Sequence, residues 1–266
     1  MRLRVDHETR YTYDAPVSYG LQQVRMRPKD SRGQKVLDWT ITVEGGATEL
    51  CYDDHNGNRV DLIGIEPGRT ETSIRCVGLV ENTEGDGVLG KHQGFLPLWH
   101  FKRSSPLTQA GEGVRKLVAG LGDCDIAQVS TGHALSAAIL DTVGYEGGNT
   151  HSGTTAEEAI TGGTGVCQDH AHIFCSAARL MGLPARYVSG YLMMNDRVEQ
   201  DASHAWAEAF FEGLGWVGFD ISNGYSPDER YIRVATGIDF REAAPINGMR
   251  MGGSDEGVLV TLKVEQ

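Results

Sequence analysis

A chain of 266 residues with 40% hydrophobic side chains can build one large domain or two of ordinary size around real cores. Its formal net charge of -12 and pI near 5.2 oppose the fields of nucleic acid and of anionic membranes, so neither is expected as a partner. The apolar runs fall far short of the roughly 20 residues of a spanning helix, the first residues alternate charges where a leader would be apolar, and five scattered cysteines make no disulfide framework, so a reducing cytoplasm is the expected setting.

The first hundred residues read as β structure. Leu3 and Val5 open one strand, and Leu37, Trp39, Ile41 and Val43 alternate with polar neighbours in the period of a half-buried strand. Val60, Leu62 and Ile65 mark another, Ile74 to Val80 a further one, and Asn56-Gly57 predicts a tight hairpin turn that needs a positive φ. Residues 1–104 are therefore expected to form a β-rich amino-terminal domain.

At Ser105-Pro106 the period changes. Val114, Leu117, Val118 and Leu121 recur at helical spacing, a second helix is expected from about Thr131 to Val143, and Thr155 with Glu158 forms a capping-box signature for a third. After Gly163-Thr164-Gly165 comes a helix with Ile173, Ala177, Leu180 and Met181 on its apolar stripe, ended by Gly182 and Pro184. The segments HAWAEAFFE, GWVGFD and RYIRVATG predict successive antiparallel strands, and Val258 to Leu262 one more. Residues 105–266 are assigned to a catalytic domain, and the fold class is α+β.

Cys167 falls at the start of its helix, where unpaired N–H groups and the positive helix end stabilise a thiolate. Breaking an amide also requires a proton for the leaving nitrogen, hence a histidine within hydrogen-bond reach. His204 heads one predicted strand and Asp220 ends the next. Antiparallel pairing brings such positions together, so the carboxylate can fix the tautomer and orientation of the imidazole.

The segments GVCQDHAH, ARYVSGYL, HAWAEAFF and LGWVGFD, followed by RYIRVATGIDF, resemble in order and spacing the bacterial transglutaminase-like family, a branch of the papain-type cysteine proteinase superfamily that carries a β-rich amino-terminal region. The resemblance covers nearly the whole chain. It implies a Cys-bearing helix packed on an antiparallel sheet, a triad of Cys167, His204 and Asp220, and Gln168 and Asp169 as the residues that usually follow the nucleophile. With His172 they are the candidates to line or support the oxyanion site. The chain departs from the family pattern at His170, where an aromatic residue is common, and at Ile221-Ser222, where Pro-Thr often follows the aspartate.

The backbone N–H of Cys167 is one oxyanion donor, worth roughly 3 kcal/mol in comparable sites. A second donor is not assignable from the pattern. Cys175, eight residues along the same helix, reads as core packing. His170 and His172 lie two apart on a helix and point about 200° apart, which opposes a shared metal ion. No metal or cofactor is expected. Trp206 and Trp216 are candidates either for a substrate channel or for sheet-face packing.

Three functions fit these residues. The first is a cysteine peptidase or amidase acting on a peptide or protein substrate through a Cys167 thioester. The second is a protein-glutamine transglutaminase that passes the acyl group to an amine, and the third, of another class, is a non-catalytic binding module.

Overall fold

A computed structural model describes residues 1–253 and 255–266. Its amino-terminal strands are β1 (Arg2–Tyr13), β2 (Tyr19–Arg27), β3 (Gln34–Glu44), β4 (Gly46–Asp53), β5 (Arg59–Ile65), β6 (Glu71–Asn82) and β7 (Val88–Gly90). Then come α1 (Glu112–Gly120), α2 (Val129–Thr142), β8 (Gly144–Tyr145), α3 (Ala156–Gly162), β9 (Thr164–Gly165) and α4 (Cys167–Leu180). The chain ends with β10 (Ala185–Leu192), β11 (Glu199–Gln200), β12 (His204–Phe211), β13 (Gly215–Phe219), β14 (Tyr231–Gly237), α5 (Phe240–Ala243), β15 (Ile246–Met251) and β16 (Glu256–Glu265). The fold is α+β, with a β-rich amino-terminal part and antiparallel pairing everywhere except the short β8–β9 pair.

Alternation drives the amino-terminal strands into sheets. Leu3, Val5, His7, Thr9, Tyr11 and Tyr13 all point inward along β1. Leu37 drops out of the alternation expected for β3, because the register against β6 shifts between Val36 and Asp38 and leaves Leu37 exposed. At the expected turn between β4 and β5, Gly57 takes φ +75°.

Three larger sheets result, in the orders β11-β16-β1-β6-β3, β15-β2-β5-β4 and β14-β10-β12-β13-β7. The chain thus crosses the expected boundary at residue 104 in both directions: β15 and β16 return to pair with β2 and β1, while β7 extends the later sheet beside β13. One continuous apolar cluster runs from Leu3, Ile74 and Val264 through Phe174 to Phe219.

Helix α4 lies on the third sheet. Ala205, Ala207, Ala209 and Phe211 of β12 form one core with Ala171, Phe174 and Ala178 of the helix, and the small alanines let the two backbones come close. The helix is buried all round from Asp169 to Arg179, its first two residues are half-buried at the cleft, and Leu180 in its last turn is exposed although its spacing predicts burial. Gly182, at φ +94°, ends it, with Leu183 N–H donating to Ala178 O at 2.9 Å.

Strand β14 is an edge of that sheet, and amide side chains from the amino-terminal part, on β3, β6 and the turn before β5, cover it. Gln34 exchanges two hydrogen bonds with the Arg233 backbone at 2.7 and 2.8 Å, and Asn58 exchanges two with Thr236 at 2.8 Å. Asn82 donates to Tyr231 O at 2.8 Å. Three buried amides therefore act as a surrogate strand, satisfying backbone groups that an open edge would leave unpaired. Among the described residues no helix is long and apolar enough to cross a membrane.

Candidate active site

The site is assembled at the amino-terminal end of α4. Gly163 closes α3 at φ +72°, and Gly165 leaves space for the first turn of α4, since a Cβ there would lie 2.8 Å from Cβ of Asp169. Asp169, almost fully buried, accepts from Val166 N–H at 2.8 Å and from the Thr150 hydroxyl at 2.7 Å, which ties the first turn to the preceding loop. Cys167, half-buried, is the first residue of the helix. Its N–H and that of Gln168 belong to the first turn and have no intrahelical acceptor.

The structure brings Cys167, His204 and Asp220 together. His204 is the first residue of β12, and its ring lies beside Cys167 at the cleft while Nε2–H donates to Asp220 Oδ2 at 2.5 Å. Nε2 is committed to the carboxylate, so Nδ1 is the nitrogen left for the sulfur. Burial alone would lower the His204 pKa, but the hydrogen bonds and charges of Asp220 and Cys167 outweigh it and push it up to about 10.

Asp220 comes directly after β13, where the turn to Asn223 and Gly224 wraps round it. Tyr231 O–H donates to Oδ2 at 2.6 Å, Asn223 Nδ2 to Oδ2 at 2.7 Å, and Asn223 N–H to Oδ1 at 3.2 Å. Burial would raise this carboxyl; the donors outweigh it and hold it below the ordinary value. Tyr231 belongs to the candidate site through this bond and was not singled out from the sequence, its only signal being an aromatic residue at a strand start. Asn223 was legible only as part of a turn.

Cys167 and His204 line a cleft of about 460 Å³ together with Tyr145, Gln168, Tyr187 and Phe240. A wall from Met194 to Ala205 closes one side, and β11 within it pairs with β16, pinned by Lys263 to Glu199 at 2.9 Å. Gln168 lines the cleft and donates to Ser152 O at 3.2 Å. His172 is not at the cleft surface: it is fully buried, its Nε2 accepts from Phe240 N–H at 3.1 Å, and burial pushes its pKa down to about 3, so it stays neutral. Cys175 is likewise sealed in the core, and burial pushes its thiol up to about 11.

Neither Trp206 nor Trp216 lines this cleft. Trp206 turns to the sheet face away from α4, with its ring stacked against His204 at 6.2 Å and edge-on to Tyr231 at 5.4 Å, so it shields the imidazole from water. Gly190, opposite His204, must lack a side chain, because a Cβ would lie 2.1 Å from Ile232 O and 2.6 Å from the Trp206 indole. Trp216 packs edge-on against Phe101 and Phe210 under the Arg186 guanidinium, 3.9 Å from its ring centre. A partner of Arg186 is the fully buried Glu208, which also pairs with Arg233 at 2.7 Å. Among the described residues no group of three or more His, Cys, Asp or Glu side chains is arranged to hold a metal ion.

Residues 117–221 match the family model of the transglutaminase-like superfamily, and residues 3–81 match that of the bacterial transglutaminase-like N-terminal region. The chain belongs to the bacterial transglutaminase-like family. Its members form a class of cysteine-dependent enzymes, and the superfamily match takes in Cys167, His204 and Asp220. The whole transglutaminase-like fold recurs in the crystal structure of a proposed cysteine protease from Cytophaga hutchinsonii, with a TM-score of 0.77 and 21% identity over 100% of this chain and 98% of that one. An uncharacterized Mycobacterium leprae protein is 26% identical over 94% of each chain, and one from Mycobacterium tuberculosis 27% over 97% of this chain and 90% of its own.

The two departures from the transglutaminase-like pattern turn out to be partners. His170 Nε2–H donates to Val143 O at 3.0 Å, which leaves Nδ1 to accept from the Ser222 hydroxyl at 2.9 Å. Burial lowers the His170 pKa and keeps this tautomer neutral. A polar pair therefore stands between the helix and the Asp220 turn where the family more often places an aromatic residue.

Proposed function

We propose that the chain is a cysteine peptidase or amidase, with Cys167 as nucleophile, His204 as its acid-base partner and Asp220 as the group that orients the imidazole. The observation that carries this reading is that Cys167 shares the cleft wall with a His204 ring whose Nε2 is 2.5 Å from the buried Asp220. His204 takes the proton of the Cys167 thiol, which leaves the sulfur as the nucleophile. The thiolate adds to the carbonyl carbon and the C=O electron pair moves to oxygen. As that oxyanion collapses the C–N bond breaks, and the leaving nitrogen takes the His204 proton. Water then attacks the thioester while His204 accepts its proton, and the C–S bond breaks to release the acid.

Hydrolysis is favoured over amine transfer because the cleft rim is wet. Tyr145, Arg197, Glu199 and Asp201 are all exposed, so water reaches a thioester on Cys167. A glutamine-containing peptide incubated with the protein, with and without a primary amine, is expected to give acid in both cases; amine incorporation as the main product identifies a transglutaminase. Loss of all turnover in Cys167→Ala is expected, and unchanged activity in that variant leaves only a binding role. The free state of the five cysteines supports a reducing compartment such as the cytoplasm. Recovery of the native protein in an oxidising cell fraction is the result that excludes it.

A further inference from the structure

Acyl transfer through a thioester requires at least two donors for the oxyanion, and the helix start supplies backbone N–H groups from one side only. The cleft wall contains few side chains free to give the other. Ser189 spends its one proton on Ala243 O at 2.6 Å, and the amide groups of Gln168 and Gln200 are tied to Ser152 O at 3.2 Å and Leu192 O at 2.8 Å. Tyr145 is open to solvent and Ser203 is half-buried in the loop before β12, and neither is held by a ring clamp.

Tyr187 differs from all of these. It stands on β10, a central strand, between Ala207 of β12 and Gly237 of β14. Its ring is clamped by His172 at 5.1 Å and by the edge of Phe240 at 6.1 Å, and only 2% of the residue is exposed. It nevertheless lines the cleft beside Cys167, and its hydroxyl is not among the sealed polar atoms. Among the described residues that hydroxyl has no hydrogen-bond partner. A ring held this rigidly with an unused donor at the cleft wall suits an acceptor that exists only during reaction.

We propose that the Tyr187 hydroxyl is the second oxyanion donor, facing the backbone N–H of Cys167 across the carbonyl oxygen of the bound substrate. Burial and the nearby charge of Cys167 raise the phenol pKa well above its ordinary value, so the proton stays in place throughout the working pH range. Residues behind it have positioning roles: His172 keeps its unprotonated Nε2 on Phe240 N–H, which fixes both sides of the clamp. The step is balanced without any added reagent. The hydroxyl keeps its proton, donates to the developing O⁻, and releases it when the C=O bond re-forms.

This rests on the acyl-transfer reading above, and the test separates the two. Acylation of Cys167 by a p-nitrophenyl ester is monitored by nitrophenol release and by the mass of the acyl-enzyme, in parallel with alkylation by iodoacetamide. Displacement at a saturated carbon forms no oxyanion. Tyr187→Phe is expected to slow acylation by about 10²-fold, with an unchanged pH profile, and to leave alkylation of Cys167 within about twofold of the wild-type rate. Equal losses in both reactions, or no loss in acylation, overturn the assignment. A wild-type protein that alkylates but is never acylated at Cys167 overturns the acyl-transfer reading, and this one with it.

Discussion

Replacing Asp220 by Asn keeps the shape of the side chain and removes its charge. In the native protein four hydrogen bonds converge on this carboxylate, from His204, Tyr231 and both the side chain and backbone of Asn223. An amide accepts through its oxygen only, so at least one of these donors would face another donor, at a cost of about 1 to 3 kcal/mol. The larger effect falls on His204. Its pKa stands at about 10 in the fold against an ordinary 6.5, an interval on the order of 5 kcal/mol shared between Asp220 and Cys167. The folded state thus binds the extra proton, and this stabilisation is complete below pH 6.5 and lost as pH rises through about 10.

Kinetics and unfolding both read this out. The pH profile of amide hydrolysis should show an alkaline limb near 10 in the wild type, since the leaving nitrogen needs the His204 proton. Asp220→Asn should move that limb toward the ordinary imidazole range and reduce kcat at pH 8 by about 10⁴-fold, as loss of an orienting carboxylate does in other triads. Urea unfolding between pH 6.5 and 10 should lose most of its pH slope in the variant. An alkaline limb that does not move, with kcat within about threefold of wild type, refutes the reasoning.

Asn58→Ala removes one of the three amides that cover the β14 edge and leaves both backbone groups of Thr236 unpaired, so urea unfolding should show a loss of about 2 to 4 kcal/mol. Glu208→Gln leaves Arg186 and Arg233 without their shared counter-charge beneath the sheet, and a destabilisation of about 3 to 5 kcal/mol is expected in the same assay. Added salt should not restore it. His170→Phe and Ser222→Ala, singly and combined, should give a coupling of about 1 kcal/mol in a double-mutant cycle. Additive effects would show that the hydrogen bond between them contributes nothing.

The local code was legible where chemistry is local. The Gly-Thr-Gly approach, the place of Cys167 at a helix start and the Thr155–Glu158 cap depend on turn geometry and on neighbours within one turn, and all three appear in the structure. Sequence order also sufficed to nominate His204 and Asp220, since consecutive antiparallel strands bring the start of one near the end of the next. Strand periodicity, in contrast, could not say which sheet face Trp206 would occupy, because alternation is symmetric between faces until something packs on one of them. Helix α4 took the alanine face, which left Trp206 against the back of His204 and out of the cleft.

What the sequence by itself determined is which residues are the candidates and where they sit locally: a cysteine at a helix start, a histidine and an aspartate on the following strands, all within 54 residues from Cys167 to Asp220. The tertiary structure decided what surrounds them. Tyr231 reaches Asp220, Tyr187 reaches the cleft, and Gln34, Asn58 and Asn82 cover β14 from positions some 150 to 200 residues away in sequence. β16 brings the end of the chain back to pin the wall before His204. Such contacts join unpaired donors and acceptors over long separations, and nothing in a local pattern marks one buried amide or phenol for a particular distant partner. Chain crossing of the residue 104 boundary is set in the same way, by which sheet edge is left open for β7, β15 and β16 to fill.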